Sequence, residues 1–85
     1  MGEQVQQMID YIKRDVIRRP DVQIGENTPL VSSGLIDSLA LVDILMKLED
    51  VTNTRIAAGK VQPKDMDTIS LMFATAARVG KPRKS

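Results

Sequence analysis

The 85-residue sequence contains neither histidine nor cysteine. Their absence removes the commonest general base, any thiol nucleophile, any disulfide and the usual zinc ligands. Carboxylates could still form an active site, but a domain this small rarely encloses a catalytic cleft in addition to a core. We therefore expect a binding or carrier module with no metal site, and not an enzyme.

Aromatic residues are scarce, since Tyr11 and Phe73 are the only two. The core must therefore be built mainly from aliphatic side chains and methionine. Hydrophobic residues make up 42% and charged residues 27% of the sequence, which is typical of one globular domain. The sequence also lacks an apolar run of membrane-spanning length and an apolar leader. We expect a soluble, cytoplasmic protein that does not bind membranes.

The net charge of +1 is unevenly distributed. Three of the 12 basic residues lie in residues 81–85, so nine remain against 11 acidic residues in the rest of the chain. A second group of basic residues lies near the end of the first predicted helix. It has neither an aromatic nor a glycine-rich pattern beside it, so we expect no nucleic acid as a partner. We interpret the group as a solvated helix end, where cations complement the helix dipole. This group consists of Lys13, Arg14, Arg18 and Arg19.

Helical spacing of apolar residues predicts a first helix over residues 3–19. Pro20 is expected to end it, because the residue before a proline is disfavoured in the α region. Residues 20–36 contain four prolines and glycines, Pro20 among them, and predict a long loop. The apolar residues expected to anchor this loop to the core are Leu30, Val31, Leu35 and Ile36.

A second helix is predicted over residues 39–51, with Asp37 as its N-cap. Its apolar residues fall on two opposite faces, and one helix of a small bundle cannot bury both. The face assigned to the core contains Leu41, Ile44, Leu45 and Leu48. The face left exposed contains Leu39, Val42 and Met46. Exposed apolar strips with a polar rim tend to be docking sites.

Residues 52–68 are predicted to be irregular, with one short helical turn near Pro63–Met66. Asp67 or Thr68 is expected to cap a last helix that ends at Gly80. The apolar stripe of this helix consists of Ile69, Met72, Phe73, Ala76 and Ala77. The predicted fold is thus all-α, a small four-helix bundle with three main helices and one short helix.

Ser38 differs from the other four serines in its position. It lies in the first turn of a strongly predicted helix, directly after Asp37 and before the exposed strip. Free N–H groups and the positive end of the helix dipole at this position can stabilise a phosphate ester. From these features alone, the better interpretation of Ser38 is an ordinary first-turn residue of a helix that Asp37 caps.

The segment 34–42, with the sequence Gly-Leu-Ile-Asp-Ser-Leu-Ala-Leu-Val, resembles the attachment motif of the acyl carrier and peptidyl carrier protein family. The resemblance covers about residues 3–79 and implies a carrier domain over 1–80. The basic residues after the Gly80 stop predict a disordered tail over 81–85. The resemblance also implies that Ser38 carries 4′-phosphopantetheine and that Asp37 helps to orient the modifying enzyme. Further positions that the family presents to partner enzymes are Leu39, Val42, Asp43, Met46, Glu49 and Asp50.

This resemblance further implies a monomeric carrier that performs no chemistry itself. A phosphopantetheinyl transferase using coenzyme A and Mg²⁺ would attach the arm, a ligase would load cargo as a thioester, and a downstream enzyme would accept that cargo. Fatty-acid carriers are more acidic than this chain, in which Lys47, Arg55 and Lys60 interrupt the acidic surface. We therefore expect an activated amino acid or a small acyl group as cargo.

Two alternatives remain open at this point. The first is a specialised fatty-acyl or polyketide acyl carrier protein. The second is an unmodified helical interaction module in which Ser38 has no chemical role.

Overall fold

The computed structural model describes residues 2–19 and 21–82, and it confirms a small, mainly helical bundle. Within these described residues, three α-helices form the frame, together with a π-helical segment, two 3₁₀ turns and a two-stranded sheet. In chain order the elements are α1 (Gly2–Tyr11), the π-helical segment (Ile12–Ile17), α2 (Ala40–Thr52), β1 (Thr54–Arg55), the first 3₁₀ turn (Ala58–Lys60), the second 3₁₀ turn (Pro63–Met66), α3 (Ile69–Val79) and β2 (Lys81–Pro82).

The first helix ends slightly earlier than the sequence predicts. Arg18 adopts a left-handed conformation with φ of 61°, which stops the helix after Ile17. The N–H groups of Arg18 and Arg19 both bond to the carbonyl oxygen of Lys13, and these bonds offset the cost of a left-handed non-glycine residue. Pro20, the predicted cause of the stop, lies outside the described residues.

Helices α1 and α2 run antiparallel, as two contacts show. The side-chain amide of Gln4 donates to the carbonyl oxygen of Val51 at 3.1 Å, which places the start of α1 beside the end of α2. Further along, the ammonium of Lys47 lies 5.6 Å from the centroid of the Tyr11 ring, a cation–π distance. The end of α1 therefore lies beside the middle of α2, and the π-helical segment that follows it also contacts α2.

The core is aliphatic and methionine-rich, as the shortage of aromatic residues requires. The helices and the long loop both contribute to it. Leu30 and Ile36 of the loop are buried, and Val31 and Leu35 are half-buried. The buried hydrophobic residues are Met8, Ile9, Ile12, Leu30, Ile36, Ile44, Leu45, Leu48, Ile56, Met66, Ile69, Met72 and Ala76. Over residues 2–19 and 21–82, none of the helices has the length and apolarity needed to cross a membrane.

Thr68, one of the two predicted caps, begins α3. Its hydroxyl oxygen accepts a hydrogen bond of 3.0 Å from the N–H of Leu71. The predicted apolar stripe of α3 is wrong at Ala77, which is exposed, and Thr75 is buried instead. Thr75 tolerates burial because its hydroxyl donates to the carbonyl oxygen of Asp65 at 3.2 Å.

The region after α3 differs from the predicted disordered tail at its first two residues. Lys81 and Pro82 form β2, which pairs antiparallel with β1. Gly80 makes this turn possible, because a Cβ atom there would collide with the carbonyl oxygen of Ala76 and crowd the Thr54 side chain. The remaining tail residues, 83–85, lie outside the described residues.

Candidate functional site

Asp37 caps the helix on which the site lies, as the sequence predicts. Its carboxylate oxygen accepts a hydrogen bond of 2.9 Å from the N–H of Ala40, three residues later. The N–H of Leu41 then bonds to the carbonyl oxygen of Ser38 at 3.3 Å, so the first turn is tighter than the α-helix that follows. Ser38 therefore belongs to the turn that starts the helix, directly after the capping residue.

The Ser38 side chain is exposed to solvent. Its hydroxyl makes no hydrogen bond to any residue in the described part of the chain. Ser32 and Ser33 differ, because their hydroxyls donate to Asp67 at 2.9 Å and to the carbonyl oxygen of Pro29 at 2.6 Å. Of these three loop and helix-start serines, Ser38 is the one whose hydroxyl is not already engaged in the fold.

An exposed apolar strip begins immediately after Ser38. Leu39 is 83% exposed, Val42 62% and Met46 59%, the largest exposures among the big hydrophobic residues of the described chain. Their neighbours Ile44 and Leu48 are completely buried on the opposite side of α2. The structure therefore confirms the two-faced helix, and it brings the strip next to the Ser38 hydroxyl.

The predicted acidic positions have different surroundings. Asp43 is exposed and lies near Tyr11, whose pKa is raised mainly by burial and further by the carboxylates of Asp43 and Asp15. Glu49 is half-buried, and its carboxylate accepts a hydrogen bond of 2.7 Å from the backbone N–H of Ile56. Asp50 is exposed at the end of α2. Glu49 thus has a structural contact that sequence reasoning missed.

Sequence reasoning also missed an apolar groove beside Ser38. This groove has a volume of about 200 Å³ and lies between α2 and the segment with the two 3₁₀ turns. Its lining residues are Ser38, Leu41, Val42, Leu45, Ala58, Val61, Gln62, Pro63 and Met66. The apolar residues around the predicted Pro63–Met66 turn indicated that this segment packs against another element. They lie far from Ser38 in the sequence, so the sequence alone did not predict that this element is the start of α2.

Comparisons with known proteins show the family to which the chain belongs. Residues 6–72 match the family model described as phosphopantetheine attachment site. The chain is also 32% identical over 68 residues to a D-alanyl carrier protein of Abiotrophia defectiva, an alignment covering 80% of this chain and 81% of that protein. No solved structure matches the chain at a significant level. The chain belongs to the family of carrier proteins with a phosphopantetheine attachment site, and its cofactor is covalently bound 4′-phosphopantetheine.

Proposed function

We propose that Ser38 is the attachment residue and that the protein carries an activated amino acid between enzymes. The observation that carries the attachment proposal is the exposed Ser38 hydroxyl, unengaged by the described residues, in the capped first turn of α2. This position fits a phosphate ester, because the free N–H groups and the positive end of the helix dipole favour negative charge there. When attached, the arm supplies a thiol that holds cargo as a thioester.

The residues around Ser38 would position it and present it to partner enzymes. Asp37 fixes the first turn through its bond to Ala40, and the strip of Leu39, Val42 and Met46 supplies an apolar contact surface. Exposed acidic groups beside the strip would steer partners with basic surfaces. These docking acids are Asp43 and Asp50, with Glu49 at the half-buried edge of the same surface.

Membership in this family implies a phosphopantetheinyl transferase together with loading and acceptor enzymes. The transferase would supply the base that deprotonates Ser38, since the chain has no histidine to do so. We infer that the carrier itself catalyses nothing, and that it works as a cytoplasmic monomer. Weak, charge-steered docking would allow several enzymes to bind the same surface in turn.

The proposed cargo is an amino acid loaded by a dedicated ligase. Two observations support it: the relative named D-alanyl carrier protein, and the cations that break up the acidic surface. These cations are Lys47, Arg55 and Lys60. A specialised acyl carrier is the second candidate, and the apolar groove beside Ser38 favours it, because a short acyl chain would fit a volume of about 200 Å³.

Intact mass measurement tests the attachment site. We expect the protein to gain one phosphopantetheine unit after incubation with coenzyme A, Mg²⁺ and a phosphopantetheinyl transferase. Ser38→Ala should gain none while remaining folded, and Ser33→Ala should be modified like the wild type. Modification that persists in Ser38→Ala would disprove the assignment, and an unmodified wild type would favour the helical interaction module.

A loading assay tests the cargo. The modified protein is offered to amino-acid-activating ligases and to a fatty-acid loading enzyme, and thioester formation is measured by intact mass. We expect an aminoacyl adduct that is lost in Ser38→Ala. Efficient loading with acyl chains, and none with any amino acid, would replace the proposed cargo without changing the attachment site.

A further inference from the structure

Asp67 holds the long loop that leads to Ser38. One oxygen of its carboxylate, Oδ1, accepts three backbone N–H groups, from Leu30 at 3.1 Å, Val31 at 2.8 Å and Ser32 at 2.9 Å. Its other oxygen, Oδ2, accepts the Ser32 hydroxyl at 2.9 Å. Successive N–H groups that converge on one oxygen form an anion-binding nest, and here the anion is a side chain of the protein itself.

The loop closes on itself directly after this nest. The N–H of Ile36 bonds to the carbonyl oxygen of Leu30 at 3.0 Å, and both side chains are buried. Gly34 makes the reversal possible, because its φ of +83° lies in the left-handed region that favours glycine. Ile36 is followed by the capping residue Asp37 and then by Ser38. A short path of bonded residues therefore joins the Asp67 carboxylate to the candidate attachment residue.

Ser38 depends on this path because it has no side-chain anchor among the described residues. Helix α2 fixes the chain after Ser38, whereas the chain before it is an irregular loop. Two other links hold this loop, and both use backbone atoms alone: the N–H of Leu30 also bonds to the carbonyl oxygen of Asp67 at 2.7 Å, and the N–H of Ser70 bonds to the carbonyl oxygen of Glu26 at 2.9 Å. The Asp67 carboxylate is thus the side-chain group that bonds to Val31 and Ser32, and a substitution at Asp67 can remove these bonds without changing the backbone links.

We propose that Asp67 is a positioning residue for Ser38: its carboxylate organises residues 30–32 and thereby fixes the turn that presents the serine beside the groove and the apolar strip. This inference rests on the proposed role of Ser38. The hydrogen bonds that Ser32 and its neighbours donate also lower the pKa of Asp67, so the carboxylate is ionised at neutral pH. An ionised acceptor makes stronger hydrogen bonds than a neutral one.

Asp67→Asn is the informative variant, because it keeps the size of the side chain and replaces one acceptor oxygen with an N–H donor group. Asp65→Asn is the matched control. Asp65 also bonds through its carboxylate to a backbone N–H, that of Gln62 at 3.0 Å, and its ion-pair partner is Arg78 on α3. Its contacts therefore stay within its own turn and α3, so the control reports on local destabilisation alone.

Steady-state kinetics with the transferase is the first measurement, made on folded full-length protein well below the melting temperature. We expect Asp67→Asn to raise KM about fivefold or more with kcat changed less than about twofold. The reason is that only a fraction of the variant molecules then hold Ser38 in the position that the transferase binds. Ser32→Ala, which removes only the hydroxyl donor, should raise KM by about twofold, and it decides the question if Asp67→Asn does not fold. Asp65→Asn should behave like the wild type.

Amide hydrogen exchange is the second measurement and does not depend on modification. We expect the N–H groups of Gly34 and Ile36 to exchange faster in Asp67→Asn than in the wild type. In Asp65→Asn their exchange rates should stay close to those of the wild type. Unchanged KM in Asp67→Asn, or an equal rise in Asp65→Asn, would overturn the positioning role and leave Ser38 as the attachment site. A wild-type protein that is not modified at Ser38 would instead overturn the proposed function, and this inference with it.

Discussion

The carboxylate of Glu49 and the backbone N–H of Ile56 form a hydrogen bond of 2.7 Å. Ile56 is only 4% exposed. It comes directly after β1, where the chain returns to the core a few residues after the end of α2. The bond therefore closes this turn and satisfies a donor that would otherwise lie beside a buried residue. Glu49 thus contributes to the fold, although the family resemblance places it with the exposed docking acids.

Replacing Glu49 should therefore reduce stability. We expect Glu49→Ala to lower the free energy of unfolding by about 1–3 kcal/mol, because the N–H of Ile56 loses its acceptor. Glu49→Gln keeps an oxygen at this position and should lose less. Asp43→Ala on the exposed part of α2 should change the free energy by less than about 0.5 kcal/mol. Urea denaturation measures all three, and equal losses at Glu49 and Asp43 would contradict the structural role.

The two faces of α2 should respond differently to truncation. Leu48→Ala should lower the free energy of unfolding by about 2–5 kcal/mol, because it leaves a cavity in the core. Met46→Ala removes a side chain that is 59% exposed, so its effect on stability should be much smaller. It should nevertheless weaken modification by the transferase, since Met46 belongs to the proposed docking strip. A melting temperature as low for Met46→Ala as for Leu48→Ala would refute this division.

The sequence was informative where the structure depends on local periodicity. The two opposite faces of α2 follow from the helical spacing of Leu48 and its neighbours, so each residue of the exposed strip could be predicted. The bonds of Asp67 could not be predicted in this way, because its partners lie about 36 residues earlier in an irregular loop. Asp67 and Thr68 looked equally suitable as caps for α3, and only the fold shows that Thr68 caps the helix while Asp67 binds the loop.

Acid should weaken the contribution of Asp67. Its pKa is lowered from the usual value of about 3.8, mainly by the backbone N–H of Ser32, so the folded state favours the ionised form. The stabilisation is therefore present above the usual pKa and is lost as the pH falls through the folded-state value. We expect the difference in free energy of unfolding between wild type and Asp67→Asn to shrink as the pH is lowered from neutral towards about 3.

A cap variant without a titrating group provides the control for this experiment. Thr68→Ala removes the N-cap of α3 and should cost about 0.5–2 kcal/mol. Because a hydroxyl does not titrate in this range, this cost should be the same at neutral and acidic pH. Urea denaturation at both pH values measures the two variants together. A cost of Asp67→Asn that is as constant as that of Thr68→Ala would show that ionised Asp67 does not stabilise the fold.

Salt and charge reversal test the steering role of Asp43. This residue is exposed beside the apolar strip, so its charge is screened over about 8 Å at physiological ionic strength. Asp43→Lys should lower kcat/KM for the transferase by about tenfold at low salt without unfolding the domain, because it places a cation opposite a basic partner. In 1 M salt, where screening acts over about 3 Å, the difference from wild type should largely disappear.

Asp21→Lys makes the same charge change in the long loop, outside α2, and should have little effect. An equal loss in Asp21→Lys would mean that net charge, and not the position of Asp43, governs docking.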